Sequence, residues 1–78
     1  MASPVHDVRY MAVIAQLRAR RKELGLTQVE LAARLGRRQQ YVSKYESGER
    51  RLDIVEHLDV AVMLEIDAKE VWRELGLG

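Results

Sequence analysis

Two adjacent glutamines, Gln39 and Gln40, begin a short stretch in which the polar side chains share one helical face. A glutamine amide can donate to and accept from one adenine edge, a pattern that is unique in the major groove of DNA. Ser43 and Lys44 lie one turn further along the same face, so the candidate base contacts are Gln39, Gln40, Ser43 and Lys44. Taken alone, a pair of surface glutamines is more typical of an ordinary solvated helix face.

A second set of residues has the chemistry to hold phosphate. Gln28 directly follows Thr27 at a predicted helix start, where the side chain and backbone N–H groups can bind an anion. Phosphate contacts fix the register of a protein on DNA but carry no sequence information directly. Solvated loop residues are the alternative reading for Arg50 and Arg51. The full set of candidates is Thr27, Gln28, Arg37, Arg38, Tyr41, Lys44, Ser47, Arg50 and Arg51.

Two charged residues lie on faces that are otherwise apolar. Arg21 is four residues beyond Leu17 and so lies on the apolar stripe of the first predicted helix. Glu46 is four residues beyond Val42, at the inner margin of a later helix. Partly buried charges are rarely left unpaired, so the pattern predicts a structural ion pair between Arg21 and Glu46.

Two short helices joined by a tight turn carry the candidate contacts. Thr27 and Glu30 form a capping box that begins one helix, and Gly36 ends it. The next helix is predicted from Gln39 to Ser47, and Gly48 ends it. This arrangement is typical of a helix-turn-helix. The positions predicted to face inward are Val29, Leu31, Ala32, Leu35, Val42 and Tyr45.

Three further helices complete an all-α, five-helix prediction. The first is expected to run from an N-cap at Ser3, followed by Pro4, to Leu24. Asp53 caps a fourth helix, and residues 67–70 form a second capping box for a short last helix. The predicted inward positions are Met11, Ile14, Leu17 and Leu24 in the first helix, and Ile54, Leu58, Ala61 and Leu64 in the fourth. The last helix, with Val71, Trp72 and Leu75, is the expected dimer surface, with closure of the core as the alternative role of Trp72.

The 78-residue length and the composition limit the class of protein. One domain over residues 1–78 is expected, with residues 1–4 as a tail and a motif core at residues 17–64. The absence of cysteine excludes a disulfide or a cysteine-based zinc site, and two isolated histidines, His6 and His57, do not make a metal site. No catalytic set, cofactor motif, small-molecule site or membrane-length apolar run is present, so a non-enzymatic, cytoplasmic protein is expected. Because so small a core is only marginally stable, a homodimer is expected.

Charge is divided sharply along the chain. Residues 18–51 hold ten basic and four acidic residues, for a net of +6, whereas residues 52–78 hold two basic and seven acidic residues, for a net of −5. Such asymmetry indicates a basic face that meets an anion and an acidic end that lies away from it. Ordinary solvated helix faces are the alternative interpretation.

The stretch from Leu17 to Leu64, with LGLTQVELAARLG followed by RRQQYVSKYESGER, resembles the Cro/C1-type or XRE family of helix-turn-helix domains. The resemblance implies a lambda-repressor-like bundle and a homodimeric repressor that binds palindromic operators in double-stranded DNA. It also implies that Gln28 contacts a phosphate and that Gln39 and Gln40 read bases, as in lambdoid phage repressors with this glutamine pair. An internal salt bridge of the family matches the charged pair predicted above.

This sequence departs from the family pattern in three places. Arg37 or Arg38 stands where the third helix usually has a serine or threonine cap, and both are poor caps. Tyr41 takes a position that is usually small, so it is expected to touch the DNA backbone, at a sugar, or a thymine methyl group. Glu65 stands where the fourth helix normally ends in glycine, at a small cost in stability.

A function from another class stays open on the sequence alone. A protein-interaction module of the same fold, such as an antitoxin-like or phage assembly component, would use the acidic last third, residues 52–78, to meet a basic partner. Such a module would have no need for glutamine and lysine on the outer face of the third helix, or for basic flanks. That face therefore discriminates between the two hypotheses.

Overall fold

A computed structural model of the chain describes residues 7–67, 69–70 and 73. These ranges contain four helices and no strand: α1 (Val8–Glu23), α2 (Gln28–Arg34), α3 (Gln39–Ser47) and α4 (Ile54–Met63). The all-α prediction is confirmed over these residues, which contain four helices where the whole sequence predicts five. The stretch expected to carry Val71, Trp72 and Leu75 lies outside the described residues.

The first helix begins later than its sequence predicts. Asp7 is in the extended region (φ −62°, ψ 128°), and its carboxylate accepts hydrogen bonds from the backbone N–H groups of Arg9 and Tyr10. An aspartate in this position satisfies backbone donors that have no partner inside the helix. The single helix predicted from Ser3 to Leu24 is therefore interrupted at Asp7, which caps α1, and the predicted start at Ser3 and Pro4 lies outside the described residues.

All four helices end with a residue of positive φ just beyond the helix. After α3 this residue is Gly48, which is itself the C-cap, at φ 85°; in the other three helices it follows the C-cap. The residue in this position is Gly25 after α1 and Gly36 after α2, at φ 71° and 67°. After α4 it is Glu65, at φ 58°, where Ile66 N–H donates to the Ala61 carbonyl at 2.9 Å. A side chain at Cβ makes this left-handed conformation unfavourable for residues other than glycine.

Replacing Glu65 by glycine is expected to raise the free energy of unfolding by about 0.5–1 kcal/mol. Relief of the left-handed strain is the larger effect, and the greater freedom of glycine in the unfolded chain offsets part of it. Urea denaturation followed by circular dichroism measures the change. Gly36→Ala is the matched control and should lose stability, since its φ is also positive. A Glu65→Gly protein less stable than the parent would contradict the assignment.

The core lies where α1, α2, α3 and α4 converge. Its largest fully buried side chains are Tyr45, Ile14, Leu17, Leu31, Leu64, Val42 and Val60. Three residues predicted to face inward are instead exposed: Met11, Val29 and Ile54, the last two at 58% and 60%. Spacing alone placed them on the margin of an apolar stripe, and the crossing of the helices leaves that margin open to solvent.

Two further side chains with polar groups are buried on the inner faces: Tyr45, which the sequence predicts to face inward, and His57, which it does not. His57 is 8% exposed, and burial lowers the pKa of its imidazole, so the neutral ring is the form accommodated in α4. Burial likewise raises the pKa of the Tyr45 phenol, so its hydroxyl stays protonated. Both side chains contribute chiefly hydrocarbon surface to the core, which is why they occur on apolar faces.

Candidate nucleic-acid interface

The outer face of α3 presents polar side chains to solvent. Gln39, Gln40 and Lys44 are exposed, and Ser43 is half-buried between them. The opposite face is fixed in the core by Val42 and Tyr45, which are both fully buried. The helix runs from the first of these glutamines to Ser47, as the sequence predicts. The four candidate base-contacting residues therefore share one surface of a rigidly held helix.

The start of α3 lacks a side-chain cap. Arg38 occupies the N-cap position in an extended conformation, and its side chain makes no capping hydrogen bond. A serine or threonine there would satisfy one of the free N–H groups. Arg38 and Arg37 are both exposed in the turn that precedes the helix, so this position carries positive charge beside the outer face of α3 in place of a cap.

Side-chain hydrogen bonds cap the start of α2, and Gln28, the first residue of that helix, contacts α3. The Thr27 hydroxyl accepts from Glu30 N–H at 3.1 Å, and the Glu30 carboxylate accepts from Thr27 N–H at 2.9 Å, which completes the capping box. Gln28 Nε2 donates to Glu46 at 3.0 Å, and its Oε1 accepts a long 3.5 Å hydrogen bond from Gln39. An amide nitrogen has two protons, so Gln28 can also donate to a phosphate.

A buried ion pair ties α1 to α3. Arg21 Nε and Nη2 donate to the two carboxylate oxygens of Glu46 at 2.7 and 3.0 Å, and Nη1 donates to the Leu26 carbonyl at 2.7 Å. The exposed fractions of the two charged side chains are 8% and 3%. The hydrogen bond to Glu46 raises the pKa of the Arg21 guanidinium. Arg21 and Glu46 thus form the pair that their positions in the sequence predict.

The basic residues after α3 differ in how firmly they are held. Arg50 is half-buried, and its Nη2 donates to the Glu56 carboxylate at 2.7 Å. This hydrogen bond holds the pKa of the Glu56 carboxyl below its usual range. Arg51 is exposed and lies over the ring of Tyr10, with its guanidinium carbon 4.6 Å from the ring centroid. Ser47 is exposed, and its hydroxyl donates to the Lys44 carbonyl at 3.1 Å.

Several features of this surface have no clear signal in the sequence. Tyr41 packs at the start of α3 with Arg37 and Arg50 against its ring, at 4.7 and 4.8 Å. Glu56 both completes the capping box of α4 and binds Arg50. The six-residue separation of that pair does not match a helical period, because a loop lies between them. The fold of the chain around α3 brings Arg50 to both Tyr41 and Glu56.

Metal binding and membrane insertion are two other activities for which the described residues can be compared with known requirements. Within residues 7–67, 69–70 and 73, no group of three His, Cys, Asp or Glu side chains is placed to hold a metal ion. None of the four helices has the length and the apolar character required to cross a bilayer, as judged over the same part of the chain. The distinctive feature is therefore the polar face of α3 with its basic surroundings.

Comparison with known proteins agrees with this geometry. A family model described as helix-turn-helix matches residues 17–68. An XRE-family like protein from Pseudomonas syringae pv. tomato str. DC3000 is 43% identical, with a TM-score of 0.83 over 92% of this chain and 88% of that chain. A search of curated proteins gives no match. The helix-turn-helix of α2 and α3, the matched motif and this structural likeness together show that the chain belongs to the XRE, or Cro/C1-type, family of helix-turn-helix proteins.

Proposed function

We propose that this protein is a sequence-specific regulator of transcription that binds double-stranded DNA, a repressor acting as a homodimer on a palindromic operator. The observation that carries the proposal is the outer face of α3, where amide and ammonium groups are exposed on a helix fixed by Val42 and Tyr45. A helix of this kind fits the width of the major groove, where each base pair presents its own donor and acceptor pattern.

Four residues of α3 are proposed to contact the bases. Gln39 and Gln40 would each form a bidentate pair with adenine, and Lys44 would donate to O6 and N7 of guanine. Ser43, which is half-buried, would reach only a base edge close to the helix axis. The position of Gln39 and Gln40 at the start of the helix agrees with recognition helices that enter the groove by their first turns.

Residues around α3 are proposed to bind the phosphate backbone of the DNA. The N-terminus of α2, with Thr27 and Gln28, supplies N–H groups and the positive end of the helix dipole to one phosphate. Charge comes from exposed guanidinium groups on both sides of the recognition helix. The residues proposed for these contacts are Arg37, Arg38, Arg50 and Arg51, together with the hydroxyl of Ser47. Arg50 differs from the others because its charge is already paired with Glu56.

A homodimer would place two recognition helices on adjacent half-sites. The folded chain measures 33 × 27 × 20 Å, so two copies side by side bring equivalent surfaces close to the roughly 34–36 Å spacing of one helical turn. Ile54 and Val55, which follow the basic loop after α3, are 60% and 62% exposed. Exposed apolar neighbours of this kind support a protein contact beside the DNA surface. The earlier expectation, that the last helix forms the dimer surface, stays a prediction.

A protein-interaction module of the same fold is the second candidate. Its support is the net charge of −5 over residues 52–78 and the exposed apolar residues Val55 and Val62 on α4. Neither feature accounts for the exposed glutamine pair or the basic residues around α3. A chain that binds a basic protein but no DNA duplex would favour this candidate.

Gln39→Ala and Gln40→Ala are expected to lose roughly 1–3 kcal/mol of discrimination at one base pair in each half-site. Both side chains are exposed, so the thermal midpoint should change little. Competition between duplexes that differ at single base pairs measures the effect, and Arg38→Ala is the matched control, because it should weaken all duplexes alike. Unchanged base preference in both glutamine variants would show that α3 does not read these bases.

A further inference from the structure

The ring of Tyr41 carries two guanidinium groups. The central carbons of Arg37 and Arg50 lie 4.7 and 4.8 Å from its centroid, within the range of a cation–π interaction. The ring also meets Tyr45 edge-on, with centroids 5.9 Å apart and planes at 74°. Since Tyr45 is fully buried, the core holds the Tyr41 ring in place, and the ring in turn positions both arginines.

The two arginines differ in the charge that remains available. Arg50 donates to Glu56 at 2.7 Å, and that carboxylate has a side chain only 13% exposed. Arg37 is exposed, and no carboxylate among the described residues lies within salt-bridge distance of it. Asp59, which lines the same groove as Arg37 and Tyr41, is beyond that distance. Arg37 therefore keeps a positive charge that can meet an external anion.

We propose that Tyr41 is a positioning residue that holds the Arg37 guanidinium ready for one DNA phosphate beside the recognition helix. A free arginine loses rotamer freedom when it binds, whereas a side chain stacked on a fixed ring has lost part of that freedom already. This inference rests on the proposed DNA binding. It gives Tyr41 a role through Arg37 in place of the direct sugar or methyl contact expected from the sequence, because guanidinium groups occupy its ring.

A double-mutant cycle on DNA affinity tests the proposal, with Tyr41→Leu, Arg37→Ala and the double variant titrated on one duplex. Tyr41→Leu is expected to weaken binding about 2–5-fold when Arg37 is present and to have almost no effect in the Arg37→Ala background. Arg37→Ala itself should flatten the slope of the logarithm of the binding constant against the logarithm of salt by about one unit. Tyr41→Phe, which keeps the ring, should bind nearly as tightly as the parent.

A second variant, Arg37→Lys, tests the same stacking interaction even if Tyr41→Leu is poorly folded. Arg37→Lys on the exposed turn preserves the charge but not the planar stacking group, so the salt dependence should be unchanged while binding weakens about 2–5-fold. Equal losses for Tyr41→Leu in both backgrounds, or an Arg37→Lys protein that binds like the parent, would overturn the proposal. A parent chain that binds no duplex would instead contradict the proposed function.

Discussion

Replacing Glu46 by alanine is expected to lower the free energy of unfolding by about 3–5 kcal/mol. The Glu46 side chain is 3% exposed, and its carboxylate accepts hydrogen bonds from Arg21 and Gln28. The variant leaves the buried guanidinium of Arg21 with the Leu26 carbonyl as its remaining hydrogen-bond acceptor. Small domains often have little more stability than this to lose, so the variant should be largely unfolded at 37 °C. Urea and thermal denaturation followed by circular dichroism measure the loss.

Two further variants separate the lost pair from a general effect of substitution. Arg21→Met combined with Glu46→Leu removes both charges and should recover much of the stability, because no unpaired charge remains in the interior. Glu49→Ala, in the loop directly after α3, alters an exposed carboxylate and should stay within about 0.5 kcal/mol of the parent. A Glu46→Ala protein as stable as Glu49→Ala would show that the buried pair does not hold α1 and α3 together.

The affinity for DNA is expected to fall about a thousandfold between 50 and 200 mM salt. If the basic surface neutralises about six phosphates, the logarithm of the binding constant falls with the logarithm of salt at a slope near −5, because condensed counterions are released. The exposed basic residues around α3, which are Arg37, Arg38, Lys44 and Arg51, together with the amide and N–H groups at the start of α2, supply the necessary contacts. Titration of a labelled duplex at several salt concentrations, read by fluorescence anisotropy, gives the slope.

Charge-removing variants locate the surface responsible. Lys44→Ala removes an exposed ammonium from α3 and should flatten the slope by about one unit. Lys69→Ala, which removes an exposed lysine from the acidic last third, should leave the slope unchanged. An affinity that does not change with salt concentration, or equal changes of the slope in the two variants, would contradict a basic DNA-facing surface around α3.

The sequence is sufficient to predict the elements that position the site. Thr27, Gly36 and Gly48 mark helix boundaries with side chains or backbone freedom that act locally, and α2 and α3 begin and end where these residues predict. The pairing of Arg21 with Glu46 was also predictable, because a charge on an apolar face needs a partner. Such signals depend on residues a few positions apart.

Features that depend on three-dimensional packing were not predictable in the same way. The capping of α1 by Asp7 competed with an equally plausible signal at residues 3–4, and the exposure of Met11 depends on how the helices cross. The stacking of Arg37 on Tyr41 joins residues four apart, but Arg37 lies before the extended N-cap of α3, so helical spacing alone does not predict the contact. The pairing of Arg50 with Glu56 spans a loop, and no helical period places these two side chains together.

Selection of bound fragments from a random library of DNA duplexes tests the central claim most directly. The parent protein should enrich a palindromic motif with half-site centres about 10–10.5 base pairs apart. The Gln39→Ala Gln40→Ala double variant should lose the preference at base pairs in each half-site while still retaining duplexes. No enrichment at 50 mM salt, or the same motif for both proteins, would contradict sequence reading by the outer face of α3.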